Sequence, residues 1–227
     1  MDILEKIFGS VGKVRIMRLF IFNPNTSFDM DKIIARTKIS PQSARLNVRA
    51  LQDAGLIKPR TFTKEEKVEV KKKKGKKSKV NSKKVVVKKR VKGWLLDDSF
   101  AYLNGLQRIL IQVSPLQDRM IVRKFNRTGK IKLLIIAGVF TQEKDSRVDI
   151  LIVGDNLRRS AVDSAIKDIE AELGKDLTYS FFETRDFQYR LGMYDKLIRD
   201  ILDYPHKTLI NRLGLQEKHP GETSRQG

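Results

Sequence analysis

Between Ser40 and Gly55 the chain gathers side chains able to hydrogen-bond the edges of nucleobases, on a segment whose ends are marked as those of a helix. Ser40 is an N-cap residue, Pro41 sits at the first helical position, and Gly55 closes the helix as its C-cap. Ala44, Val48 and Leu51 fall at i, i+4 and i+7 and face inward, so Gln42, Ser43, Arg45 and Arg49 project outward. Gln42 and Asn47 have the amide geometry that reads adenine, and Arg45 or Arg49 the fork that reads guanine. Ser43 is short enough to let the helix approach closely. The contact set is therefore Ser40, Gln42, Ser43, Arg45, Asn47 and Arg49, and residue type leaves open which of them read bases and which hold phosphates. Leu46 is unusual on such a face. It either meets a thymine methyl or packs against the preceding helix.

A second constellation follows directly. From Lys58 to Lys92 there are seventeen Lys or Arg against three Glu, a net +14 out of a chain total of +20, which leaves +6 for the other 192 residues. Lys71, Lys72, Lys73, Lys74, Lys76, Lys77 and Lys79 form its centre. Lysine is a strongly hydrated point charge suited to phosphate rather than to bidentate base reading, so the expected partner is double-stranded DNA, gripped through its backbone. The bland alternative is a solvated loop. A lipid surface fits less well, because aromatic and large apolar anchors are missing among the lysines.

Composition narrows the remaining chemistry. There are no cysteines, which removes disulfides, thiolate metal sites and thiol nucleophiles, and the two histidines, His206 and His219, are isolated. We expect no metal, no cofactor and no catalytic set. The longest apolar run, Leu133 to Phe140, is too short to span a bilayer, and the N-terminus lacks a basic segment followed by an apolar core. The expected location is the cytoplasm, on the nucleoid.

The elements that position these residues are legible in outline. Apolar residues at helical spacing run from Val11 to Phe22 and stop at Asn23-Pro24-Asn25. A short helix from Met30 to Thr37 follows, with Asp29 as cap and Ile33, Ile34 and Ala35 as apolar face. After the Ser40 helix, Leu56-Ile57 begins a strand, and Thr61 to Lys92 resembles a β-hairpin whose tip is expanded into a basic loop. Asp97-Asp98-Ser99 caps a connecting helix through about Val113. Beyond it come a helix at 115–128, strands at 131–137 and 148–153, a helix at 157–173 closed by Gly174, a strand at 177–182 and a final helix at 193–213. Phe181, Phe182, Phe187, Tyr189 and Tyr194 are expected in the core, and His206 at the surface or as a cap.

Two resemblances follow. SFDMDKIIARTKISPQSARLNVRALQDAGLIKPR is similar to the helix–turn–helix and start of the wing in prokaryotic repressors of the arsenical-resistance and multiple-antibiotic-resistance types, through Ala35, Ile39, Ala44, Val48, Leu51, Gly55 and Leu56. AGVFTQEKDSRVDILIVGDN, with the helix and strand after it, resembles the core of minimal nucleotidyltransferases. That family places a Gly-Ser turn after one strand and two metal-binding aspartates on the next. Here Gly138 fits the glycine, Val139 replaces the serine, Asp145 and Ser146 fit the approach, Arg147 replaces the first aspartate and Asp149 fits the second. A register two residues later loses a ligand as well, at Leu151, and Thr178 or Ser180 stands where a third carboxylate belongs. Arginine cannot ligate Mg²⁺, so Asp149 beside Arg147 is expected to orient or neutralise a neighbour.

The resemblances imply an α/β protein. A winged helix–turn–helix occupies 1–96, with a Lys-rich wing insertion at about 64–92. A linker helix follows at 97–113, then a degenerate nucleotidyltransferase-like domain at 114–213 and a disordered tail at 214–227. The implied function is a non-enzymatic DNA-binding transcriptional regulator whose second domain senses a ligand, dimerises with a second copy or docks a partner. The alternatives are an active nucleotidyltransferase targeted by its DNA-binding domain, and a non-specific chromosome-associated protein.

Overall fold

The computed structural model describes residues 3–71, 82–112, 116–143 and 146–215. They form a mixed α/β molecule with a two-stranded and a four-stranded sheet.

The first half holds α1 (Ile3–Ile7), α2 (Val11–Phe22), α3 (Met30–Thr37) and α4 (Pro41–Asp53). Each of the last three begins at a side-chain cap: Ser10 accepts from Lys13 N, Asp29 from Lys32 N and Ser40 from Ser43 N, which satisfies donors the helix leaves orphaned. Gly55, at φ +82°, follows the end of α4 and turns the chain into β1. Val14, Ile16, Leu19 and Phe20 of α2 pack with Ile33, Val48, Leu56 and Ile57 in one buried cluster. On α3 the inward residues are Ile33 and Thr37, whereas Ala35 is exposed, contrary to the expected apolar face.

The two strands β1 (Ile57–Lys71) and β2 (Ser82–Leu96) pair antiparallel from Ile57↔Leu96 out to Lys71↔Ser82. The chain stays in strand to Lys71 and again from Ser82, and the centre of the expected basic tip, residues 72–81, lies outside the described residues. The fourteen steps along a fifteen-residue strand, at ~3.4 Å each, give a ribbon roughly 48 Å long. Its base is tied down by Phe28, which exchanges two backbone hydrogen bonds of 2.9 Å with Trp94. Gly93 is required there, because a Cβ would lie 2.3 Å from the Phe28 carbonyl oxygen.

The second half begins with α5 (Leu103–Gln107), which continues as a π turn over Arg108–Gln112. It goes on through α6 (Asp118–Lys124), β3 (Lys130–Ile136), a 3₁₀ turn (Gly138–Phe140), β4 (Ile150–Asp155), α7 (Arg159–Leu173), β5 (Tyr179–Glu183), α8 (Thr184–Gly192), α9 (Lys196–Asp203) and β6 (Lys207–Asn211). The strand order is β5-β4-β3-β6, with β4 and β5 parallel and the other pairs antiparallel. Leu134, Ile136, Ile150 and Ile152 face Ile121, Val162, Ile166 and Ile169 on α6 and α7. Leu133, Ile135, Leu151 and Val153 face Phe187, Ile198 and Ile201 on α8 and α9. Covered on both sides, the inner strands read as unbroken apolar runs.

The final helix expected at 193–213 is wrong. α9 stops at Asp203, Tyr204 is extended ahead of Pro205, and 207–211 returns as β6 against β3. Proline disfavours a helical residue before it and has no N–H to continue the ladder. The helix α8 falls where none was expected, and the helices expected at 97–113 and 115–128 are shorter than their sequence signals. Of the expected tail, 216–227 lies outside the described residues.

The halves join through α2, α3 and α7. Arg18 of α2 is buried, its Nε donating to Leu110 O at 3.3 Å and its Nη1 to Glu172 O at 3.2 Å. Asn23 Nδ2 donates to Gly174 O at 2.8 Å. Gly174 takes φ +82°, and a Cβ on it would lie 2.5 Å from Leu19 N. Arg15 and Lys124 converge on Glu172, while Arg36 pairs with Asp176 and Lys38 with Asp168.

Candidate nucleic-acid interface

Helix α4 packs through Ala44, Val48 and Leu51, as their spacing predicts. Gln42, Arg45, Leu46 and Arg49 are exposed on the other side, and Ser43 is half-buried. No described carboxylate pairs with Arg45, and Arg49 lies 4.0 Å from Asp53 in a solvent-facing i,i+4 pair. Ser40 is exposed but its hydroxyl serves the cap.

Asn47 corrects the expectation. It is 9 % exposed, its Nδ2 donates to Ser43 O at 2.8 Å, and its Oδ1 accepts from Ser10 Oγ at 3.2 Å. A Cβ on Gly12 would meet its Nδ2 at 2.7 Å. Asn47 therefore braces α4 against the start of α2 and offers nothing outward. The signal was present in the spacing, because 44, 47, 48 and 51 make one i, i+3, i+4, i+7 stripe.

The hairpin stands beside this face. Lys64 Nζ reaches Asp29 Oδ2 at 2.7 Å, coupling the hairpin to the cap of α3. Burial pushes the Asp29 carboxyl up, but hydrogen bonds from Lys64 and the Lys32 amide, with both positive charges, hold it below its ordinary value. Lys58 meets Asp97 and Asp98, and Lys88 meets Glu65. Arg60, Lys89, Arg90 and Lys92 are exposed and pair with no described carboxylate. Trp94 Nε1 donates to Gln52 at 2.7 Å, fixing the hairpin base against α4. Lys71 ends β1, and Lys72, Lys73, Lys74, Lys76, Lys77 and Lys79 lie outside the described residues.

The second candidate site sits where β3 turns into β4. Gly138 has φ +53°, and a Cβ there would lie 2.4 Å from Asp149 Oδ1. That oxygen accepts from Val139 N, and Oδ2 from Thr178 N, both at 2.8 Å. Asp149 thus ties the 3₁₀ turn to the start of β5. Arg147 forms an ion pair with Asp200 of α9. Ser180 lies within β5, Asp145 is outside the described residues, and no described group of three or more His, Cys, Asp or Glu could hold a metal ion. A cleft of about 440 Å³ opens here between the halves, lined by Phe22, Ile111, Val139, Asp149, Lys175 and Asp176 among others.

Two aromatic assignments also change. Phe187 is buried, but Tyr189 and Tyr194 are exposed and belong to no core. His206 Nδ1 lies 2.8 Å from Tyr204 O beside the turn into β6, a local turn contact. No described helix is long and apolar enough to cross a membrane. No family model matches the chain, and comparison with curated proteins and with solved structures returns no match.

Proposed function

We propose that the chain is a DNA-binding transcriptional regulator that reads double-stranded DNA with a winged helix–turn–helix, residues 1–96, and holds the flanking backbone with its basic wing. The carrying observation is the exposed Gln42, Arg45 and Arg49 face of a capped helix beside a ribbon roughly 48 Å long with unpaired cations. A recognition helix presents side chains to base edges in the major groove, and a cationic ribbon of that reach suits phosphates on either side.

In this reading residues 114–213 are a nucleotidyltransferase-like scaffold without catalysis. Support comes from Arg147, committed to Asp200, and from Asp149, whose two oxygens accept backbone N–H groups. The cleft favours ligand sensing over the scaffold's other roles, because Asp176 on its wall is bonded to Arg36 of α3, the helix that precedes the recognition helix.

Selection of bound fragments from genomic DNA at physiological salt tests the main reading. A shared motif is expected, and flat enrichment would replace the regulator with a non-specific chromosome-associated protein. Label transferred from ATP with Mg²⁺ or Mn²⁺, and lost in Asp149→Ala, would replace the scaffold with an enzyme.

A further inference from the structure

We infer that Leu46 reads the 5-methyl group of a thymine and is a specificity-determining residue of the interface proposed above, on which this inference rests. Two roles were open to Leu46 from sequence, and packing against the preceding helix is not the one it takes. It is 65 % exposed and stands outside the cluster that absorbs Ile33, Ile39, Val48 and Leu51. Gln42, Arg45, Leu46 and Arg49 stand at i, i+3, i+4 and i+7, so the leucine lies within the polar face and not at its border.

The chemistry of that face then selects the target. Among base edges in the major groove, the thymine methyl is the one substantial apolar group, the rest being donors, acceptors and the small C5–H of cytosine. With Asn47 turned inward and Gln52, at the far end of the helix, accepting from Trp94 Nε1, Gln42 is the amide left to pair with adenine. Gln42 and Leu46 are one turn apart, roughly 6 Å along the helix, or about two base-pair steps. The thymine touched by Leu46 therefore lies within two steps of the adenine read by Gln42. Arg45 and Arg49 flank the pair and can take guanine or phosphate.

The test uses the full-length protein and duplexes of the selected motif in which each thymine in turn is replaced by deoxyuridine, which removes the methyl and nothing else. One position per half-site should lose about fourfold in affinity, the factor expected for burying one methyl group. That loss should vanish in Leu46→Ala and persist in Leu46→Met, which keeps an apolar tip. Both variants change an exposed position on a helix that tolerates either residue. A duplex series with no sensitive position, or the same sensitivity in Leu46→Ala as in the parent, would overturn the inference while leaving the regulator intact. So would a Leu46→Ala protein that changes its oligomeric state in sedimentation but not its response to deoxyuridine, since the leucine would then face protein. Flat fragment selection would remove both the regulator and this inference.

Discussion

Cutting the wing at a defined rung separates charge from recognition. Glu65 pairs with Lys88 in the ladder, so replacing residues 66–87 by Asn-Gly joins the strands with a two-residue turn of the favoured type. The Lys64–Asp29 and Lys88–Glu65 ion pairs lie on the retained side. The cut removes ten lysines and two glutamates. A ribbon can press only one of its faces on a duplex, and not every side chain there reaches a phosphate. Three to five contacts is thus a reasonable count, and at about 0.9 per contact the slope of log affinity against log salt should flatten by roughly three to four units. Between 50 and 200 mM salt the parent should then lose on the order of a hundredfold more affinity than the shortened protein. Anisotropy titrations on the preferred duplex and on random duplex measure both slopes, and Trp94 fluorescence reports whether the hairpin base is intact. A slope unchanged within one unit would show that the wing never meets phosphate. A changed motif would show that it senses groove shape and not charge alone.

Other perturbations are expected to be as distinct. Arg45→Ala should weaken binding to the preferred site by ~1–3 kcal/mol relative to random DNA, and equal losses in competition titrations would reassign it to the backbone. Asn47→Ala should lower stability in urea melts by about 1–3 kcal/mol, the cost of unpaired partners at a buried bond, with the motif unchanged; a new motif would return Asn47 to the reading face. Because the folded Asp29 carboxyl sits below its ordinary value of 3.8, its stabilisation is fully present above that pH and is lost as pH falls through the lower folded value. Acid unfolding of Asp29→Asn, which keeps the cap but not the charge, should be less steep below pH 3.8, and a curve superimposable on the parent would show that the Lys64 contact does not stabilise the fold.

What the sequence disclosed was local. The end of α2 and the limits of α3 and α4 follow from caps and breakers within four residues, and the structure has them where Asn23-Pro24, Asp29, Ser40 and Gly55 put them. The amide of Asn47 suits base reading, but its place on the inward stripe decides its orientation. The failures near the C-terminus are of another kind. Leu209 and Ile210 continue an apolar pattern that a helix would also accept, and their fate as a strand depends on the open edge of β3, more than seventy residues earlier. The Arg147–Asp200 pair likewise spans the fold and leaves no trace in spacing.

The junction through Arg18 and Gly174 carries a consequence for measuring distance. Leu110 lies beyond the hairpin yet is buried with α2, α3 and α4, and the Gly174 backbone touches that of Leu19. These buried contacts hold the two halves at one angle in the structure. Two copies joined through their C-terminal halves would hold their reading helices like the fixed points of a caliper. Recognition helices of such pairs meet half-sites one helical turn apart, about 10.5 base pairs. Each base pair inserted between the half-sites turns the second by about 34° around the duplex axis. A hinged pair would follow that rotation, whereas a pair held at this angle would not.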